Sequence, residues 1–381
     1  MIPLSVPNIS GNEWKYVKDC LDTGWVSSVG SYVNSFEEKV ADYVGAHYAV
    51  ATSSGTAALH VGLIACDVQP EDEIIVPTLT FVATVNAVKY CGAYPVFMDC
   101  DKDTLCLDVK KVIAFLDNEC ELRQDGYTYN KKTKRRIKAV IPVHMYGYPV
   151  DMAPLLEVCK NNNIDIIEDA TESIGSEYKG RKTGSFGKIG CFSFNGNKII
   201  TTGGGGMVVT KDANIAERIK HLTTQAKIDP IEYDHDEIGY NYRLANIQAA
   251  LGVAQMERLE EFIDIKRRNA LLYKELLSEL AEVEFVWEDY SVKSNFWFYA
   301  VRVPEKDKGP LMEYLLSRDI QVRPIWKLIH TLPMYKGCQT YYIQEAMKAY
   351  NSCINLPCSV NLKEDDLLFV VENIKNYFGV K

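Results

Sequence analysis

Lys198 closes the segment Gly190-Cys191-Phe192-Ser193-Phe194-Asn195-Gly196-Asn197-Lys198 and is followed by Thr201-Thr202 and the four glycines Gly203–Gly206. A lysine amine held among apolar walls loses proton affinity and becomes a nucleophile, and glycines let backbone approach a ligand closely. The bland alternative is a solvent-facing lysine beside a turn. Asp169 ends the apolar run Ile166-Ile167-Glu168-Asp169-Ala170. A buried carboxylate needs a cation, and no Lys or Arg adjoins it, so a ligand such as a pyridinium nitrogen would serve. Otherwise it caps the turn before Thr171. At Thr52-Ser53-Ser54-Gly55-Thr56-Ala57-Ala58-Leu59 an apolar run ends in small hydroxylated residues just as a helical pattern begins. The free N–H groups and the helix dipole make such a corner an anion site, or simply an N-cap.

Taken together the three segments are more specific than any one. A phosphate site, a carboxylate for a ring nitrogen and a lysine 29 positions beyond it (198 − 169) are the anchors of pyridoxal 5′-phosphate held as a Schiff base. Other chemistries lack parts: there is no G-x-G-x-x-G or Walker loop, no G-x-S-x-G elbow and no H-x-x-x-H pair, and no metal site is expected.

The elements that must carry these residues follow from periodicity. Short β-rich runs at Tyr48–Thr52, Glu73–Val76, Pro95–Asp99, Ile137–Val143, Ile164–Glu168, Ile189–Phe194 and Met207–Thr210 alternate with helical stretches. That pattern predicts an α/β fold with a mostly parallel central sheet covered on both faces, its ligands at the carboxyl ends of the strands. Residues Asn246 to Leu280 predict one long helix, and strand-like and helical segments beyond Val283 a smaller α+β domain. The expected division is 1–250 and 251–381. Asp125–Lys138, with six basic residues, reads as a hairpin insertion over 122–138, either a solvated face or a basic edge for an anionic substrate.

Composition removes other classes. The chain has 381 residues, 47% of them hydrophobic, and a formal charge of −9, so it buries a full core and is repelled by nucleic acid and anionic lipid. Its eleven cysteines are scattered with no C-x-x-C pair, which suits free thiols in a reducing compartment. Met1 to Gly11 has no basic run before an apolar core, and no apolar run nears the ~18 residues of a membrane span. The reading is a cytoplasmic protein.

The sequence resembles the sugar aminotransferase family named after DegT, DnrJ, EryC1 and StrS, in the aspartate-aminotransferase-like fold of type I. The resemblance runs from Pro3-Leu4-Ser5-Val6-Pro7 to Asn355-Leu356-Pro357. It rests on Ser54-Gly55-Thr56-Ala57-Ala58-Leu59, Pro77 to Thr84 (P-x-x-T-F-x-A-T), Glu168-Asp169-Ala170, Phe192 to Lys198 with Thr201 to Gly206, and Gly239-Tyr240-Asn241-Tyr242-Arg243. It implies that Lys198 carries the cofactor and moves the proton, that Asp169 holds the ring nitrogen and that Phe81 stacks on the ring. Gly55, Thr56 and Ser193 would hold the phosphate, and Ser54 and Asn195 would be further cofactor-binding residues. Asn241 would reach the phosphate from the other subunit of a homodimer with shared active sites. Arg243 would receive the carboxylate of the L-glutamate donor, with His144 and Arg323 as further substrate contacts.

There are departures from the family pattern. Glu172 stands where many relatives have Gln, so a contact to the cofactor's 3-hydroxyl would need a protonated carboxyl. Asn195-Gly196-Asn197 replaces a common His-Pro, and Lys198 itself argues for transamination over the dehydratase branch, which has His there. The opening, the Tyr127-Thr128-Tyr129-Asn130 insertion and the Asn-Gly-Asn-Lys segment look like legionaminic-acid and bacillosamine pathway enzymes. These imply amination at C4 of UDP-4-keto-6-deoxy-N-acetylglucosamine. The alternative is a perosamine-type synthase acting on GDP-4-keto-6-deoxymannose, which shares the E-D-A-T-E string. A non-catalytic, cofactor-binding regulator on the same fold is the alternative from another class.

Overall fold

The computed structural model describes residues 1–229 and 231–379. Its larger sheet has eight strands in the order Tyr48–Thr52, Gly206–Thr210, Ile189–Ser193, Asp165–Asp169, Ile137–Val140, Glu73–Pro77, Tyr94–Met98 and Thr340–Tyr341. All neighbours run parallel except Gly206–Thr210, which is antiparallel to both of its neighbours. The exception follows from the connection. Residues 194–205 are a loop with no crossover helix, and only a crossover returns a chain in the parallel sense.

Side-chain alternation explains why these runs are apolar throughout. Val208, Cys191, Ile167, Ile74 and Val76 pack into one buried cluster with Leu59, Val61 and Ile219 of the helices on that face. Their strand neighbours Met207, Val209, Phe192, Ile166 and Ile75 pack into a second cluster with Phe36, Val40 and Leu155 on the other. Successive residues of a strand face opposite sides, so a sheet covered twice demands continuous hydrophobic strands.

A second, antiparallel sheet holds Glu284–Phe285, Tyr299–Arg302, Cys353–Leu356 and Arg323–Pro324. The N-terminal segment is strapped to it: Ile2 N–H donates to Asp319 O, Gln321 N–H to Ile2 O and Cys358 N–H to Leu4 O. We propose a larger unit about the first sheet and a smaller one about the second. The helix Asn246–Met256 spans the division drawn at 250/251, and Thr340–Tyr341 returns to the edge of the larger sheet.

The single long helix expected over Asn246–Leu280 is two helices, Asn246–Met256 and Leu259–Leu277. The apolar period runs on, but each half answers to a different neighbour. Gln255 donates to Asn8 O and Glu13 Oε1, and Glu257 accepts from Asn12 and Tyr16, all in the N-terminal segment. In the second half Lys266 donates to Cys358 O and its own carbonyl accepts from Tyr299, both beside the smaller sheet. Tertiary bonds thus break a helix that local propensity would continue.

The basic segment is also resolved. Cys120–Leu122 and Thr128–Asn130 form the hairpin, and the cations follow it along the edge where the parallel strands begin. Arg135 pairs with Glu71, Arg136 with Asp72 and Lys138 with Asp165, while Arg135 also stacks over Tyr94, the first residue of its strand. These contacts lie at the amino ends of the strands, opposite Lys198, so Arg135, Arg136 and Lys138 are structural ion pairs, while Lys131, Lys132 and Lys134 meet no carboxylate among the described residues. No helix among the described residues is long and apolar enough to cross a membrane.

Candidate active site

Lys198 sits in the loop that turns back from Ser193 to Gly206. The loop closes on itself through Phe194 N–H to Gly205 O, Thr202 N–H to Phe194 O and Lys198 N–H to Asn195 O. Gly206 is required there, because a Cβ would stand 2.4 Å from the carbonyl oxygen of Ser54. The side chain of Lys198 is 12% exposed, with Nζ 3.6 Å above the centre of the Trp297 ring and 3.8 Å from Glu172 Oε1. Burial lowers its proton affinity, against the opposing pull of the Glu172 and Asp169 charges. A lysine so placed can act as a nucleophile and then as a proton carrier.

The two carboxylates ending the strand Asp165–Asp169 have separate duties. Glu168 is saturated, accepting from the N–H groups of Gly184, Phe186 and Gly187 and lying 3.0 Å from His144 Nε2. Asp169 accepts from Thr84 Oγ1 at 2.7 Å and from Thr171 N–H at 3.1 Å. It caps the turn, but it is 2% exposed and pairs with no cation among the described residues. A cationic ring nitrogen would complete it.

Ser54 is the N-cap of the helix Gly55–Ala65, its Oγ accepting from Ala57 N–H at 3.1 Å. The N-cap reading of this corner is therefore correct, and it leaves room for the anion reading. The first-turn N–H groups of Gly55 and Thr56 have no intrahelical partner, and Ser193 stands beside them, 2.7 Å from where a Cβ on Gly55 would lie. This is a cradle that any side chain at Gly55 would fill.

Glu172 faces Lys198 from below. Its Oε2 accepts from Tyr146 N–H at 2.7 Å, and burial pushes its carboxyl up to about 7. Tyr146 holds φ 55 and ψ 17, a left-handed conformation costly for a bulky residue, so the bond to Glu172 is bought with backbone strain. Because the folded chain retains a proton on Glu172 that the unfolded chain releases above its ordinary value of 4.5, stability of the cofactor-free protein should fall as pH rises from about 4.5 to about 7. The slope from this group is on the order of 1 kcal/mol per pH unit. Lys198 has the opposite sign, its deficit being recovered as pH rises toward 10.5. Melting temperatures of the wild type and Glu172→Gln should therefore diverge in slope between pH 5 and 7; parallel profiles would remove the buried-acid assignment.

A cavity of about 640 Å³ is lined by Ser54, Gly55, Thr56, Phe81, Asp169, Glu172, Ser193, Asn195, Lys198 and Arg323, ten of the thirteen residues expected at the site. The other three lie elsewhere. His144 is fully buried; Val150 N–H donates to its Nδ1 at 3.1 Å, and its Nε2 meets Glu168, so neither nitrogen is left for a substrate. Its expected substrate contact is corrected to a structural one, bracing Glu168. Asn241 and Arg243 lie at the outer edge of the sheet, where Arg243 bridges Thr52, Asn241 bridges Thr224 and Ser53 N–H donates to Tyr242 O.

The cavity also holds residues that the sequence reading passed over. Trp297 lies beneath Lys198, and Trp326 packs 5.6 Å from Phe81, which is 52% exposed at the mouth. Lys327 and Asn355 line it as well. Thr84, the donor to Asp169, was in plain view at the end of the Pro77–Thr84 motif. The others belong to the smaller sheet and its loops, where no local spacing marks them.

A family model for the DegT/DnrJ/EryC1/StrS aminotransferases matches residues 7–375. The chain belongs to this family. It is 38% identical over 382 residues to the GDP-perosamine synthase of Escherichia coli O157:H7, covering 100% of this chain and 99% of that one. It is likewise 38% identical over 370 residues to the GDP-perosamine synthase of Caulobacter vibrioides, covering 96% and 95%. Among solved structures it is similar to the aminotransferase TlmJ of Streptoalloteichus hindustanus, with a TM-score of 0.90, 26% identity and 99% of each chain covered. The protein is a pyridoxal 5′-phosphate-dependent aminotransferase of the α/β class. The anion cradle at Gly55, the unpaired Asp169 and the buried Lys198 fit that cofactor.

Proposed function

We propose that this aminotransferase moves an amino group from L-glutamate to C4 of a nucleotide-linked 4-keto-6-deoxy sugar, and that the sugar is GDP-4-keto-6-deoxymannose. The observation that carries the choice is the full-length likeness to two enzymes named GDP-perosamine synthase. It favours the perosamine-type alternative over the UDP-4-keto-6-deoxy-N-acetylglucosamine reading drawn from local motifs.

Each residue then has a task. The bound cofactor supplies a ring that takes up electrons from the reacting carbon. Lys198 holds it covalently and, once released, takes a proton at Nζ and returns it. Asp169 keeps the ring nitrogen protonated, with Thr84 fixing its carboxylate. The Gly55 and Thr56 N–H groups and Ser193 hold the phosphate, Phe81 offers its face to the ring at the mouth, and Trp297 forms an apolar wall beneath Lys198. Arg323 and Lys327, at the cavity wall and free of carboxylate partners among the described residues, suit the two negative charges of a diphosphate. In this reading Asn241 and Arg243, on the sheet edge and outside this chain's own cavity, serve the site of a second copy, and the active form is a homodimer.

The test is a panel of GDP- and UDP-linked 4-keto-6-deoxy sugars incubated with holoenzyme and glutamate, the products weighed by mass spectrometry. The expected result is a 4-amino product from the GDP-linked mannose derivative. Amination of the UDP-linked N-acetylglucosamine derivative alone would restore the other reading, and amination of neither would remove both.

A further inference from the structure

Four buried side-chain polar atoms among the described residues have no hydrogen-bond partner. Two of them, on Asn269 and Tyr273, lie in the helix Leu259–Leu277 away from the cavity. The other two, Asn197 Oδ1 and Asn355 Oδ1, belong to residues that line it. Asn197 is the lesser case, since it is only partly buried and its backbone carbonyl is already engaged by Trp297 Nε1–H at 2.7 Å.

Asn355 is 3% exposed, in the strand Cys353–Leu356. Its directly opposed partners are Ala300 on one side and Arg323 on the other. Opposed residues of an antiparallel pair project to the same face, so Asn355 and Arg323 share the side of the smaller sheet that closes the cavity. The amide is oriented by one bond, Nδ2 donating to the Tyr146 hydroxyl at 3.0 Å. Turned over, its oxygen would take the hydroxyl proton of Tyr146 and its nitrogen would be left over instead. In either setting one amide atom remains unpaired, which folded proteins rarely tolerate without a ligand or water.

We propose that Asn355 is a specificity-determining residue whose unpaired amide atom takes a ring hydroxyl of the sugar substrate. The proposal rests on the nucleotide-sugar reading above. A hydroxyl is both donor and acceptor, so it satisfies the amide in either orientation, whereas a ketone oxygen serves only one. In a 4-keto-6-deoxyhexose linked through C1, the hydroxyls left on the ring are those at C2 and C3. The neighbouring Arg323 places the diphosphate next to the same strand pair, and a hydroxyl on C2 or C3 is a few atoms from that diphosphate.

The test separates the half-reactions in the holoenzyme. For Asn355→Ala, kcat/KM with GDP-4-keto-6-deoxymannose should fall roughly 10- to 100-fold, as when a buried amide and its hydroxyl partner are parted. The change in visible absorbance driven by glutamate alone should keep most of its rate. On the wild type, the C2-deoxy or the C3-deoxy analogue should lose a similar factor, and Asn355→Ala should no longer distinguish that analogue from the parent sugar. Equal kcat/KM for all three sugars on the wild type overturns the proposal without any variant, should Asn355→Ala not fold. Equal losses in both half-reactions overturn it too, and would reassign Asn355 to bracing Tyr146 and Glu172. If the wild type aminates no nucleotide-linked keto sugar, the functional reading itself falls and this inference with it.

Discussion

Lys198→Ala is expected to lower amino transfer by at least ~10⁴-fold, because the amine is asked to serve both as the cofactor's covalent anchor and as the proton carrier. No other described lysine can take over. Lys327, the other lysine lining the cavity, is carried by the loop that follows the strand Arg323–Pro324, and Lys266 is buried against Cys358 O. The variant should fold and retain part of its cofactor, since the cradle at Gly55 and the Asp169 carboxylate are untouched, but the cofactor should come off on dialysis. Borohydride treatment of the wild type should leave the added mass on the peptide containing Lys198, and recovery on another lysine would overturn the assignment. The same variant tests the proposed sharing of sites. Mixed with Asn241→Ala subunits, it should regain activity, because one kind of heterodimer then holds one intact site; a mixture no more active than its parts would leave Asn241 without a role across the subunit boundary.

What was legible in the sequence was whatever is written locally. The seven strand runs are apolar because both faces of the sheet are covered, and Asp165–Asp169 and Ile189–Ser193 end where the chemistry begins, so Asp169 and Lys198 could be found by their position after an apolar run. The errors came where a distant partner decides. Glu71, Asp72 and Asp165 pair with Arg135, Arg136 and Lys138, half of a basic segment whose two readings the sequence leaves open, and nothing in 125–138 announces those partners. His144 has the residue type of a substrate contact, yet Glu168 and the Val150 N–H engage both of its ring nitrogens. Asn246–Leu280 keeps a helical period through Glu257, but the contacts of Gln255 and Glu257 with the N-terminal segment split it. Trp297, Trp326 and Asn355 reach the cavity only because the smaller sheet folds back over Lys198. Glu172 lies between these cases: its departure from the family pattern was visible, while the burial that makes it an acid near neutrality is a property of the fold.

Asp169→Asn should cut the rate of the glutamate half-reaction by about 10²- to 10³-fold while hardly changing folding stability, and the neighbouring residue supplies the control. The carboxylate of Asp169 is buried with no cation paired to it among the described residues, which suits a cationic ring nitrogen, and removing a preorganised charge from a buried site has a cost of that order. Stability should survive because an asparagine can keep both local bonds. Its oxygen can accept from Thr171 N–H, and its amide can donate to Thr84 Oγ1, whose hydroxyl then turns to Thr80 Oγ1 at 3.2 Å. Glu168→Gln should behave in the opposite way. Glu168 accepts three backbone N–H bonds and faces His144, and an amide nitrogen facing an N–H leaves buried donors unpaired, at a cost of about 1–3 kcal/mol each. Thermal melts and stopped-flow absorbance on the two variants therefore separate a chemical carboxylate from a structural one. A wild-type half-reaction rate in Asp169→Asn would reduce Asp169 to the cap of its turn, and a large loss of melting temperature in that variant would show that its charge holds the fold rather than the cofactor.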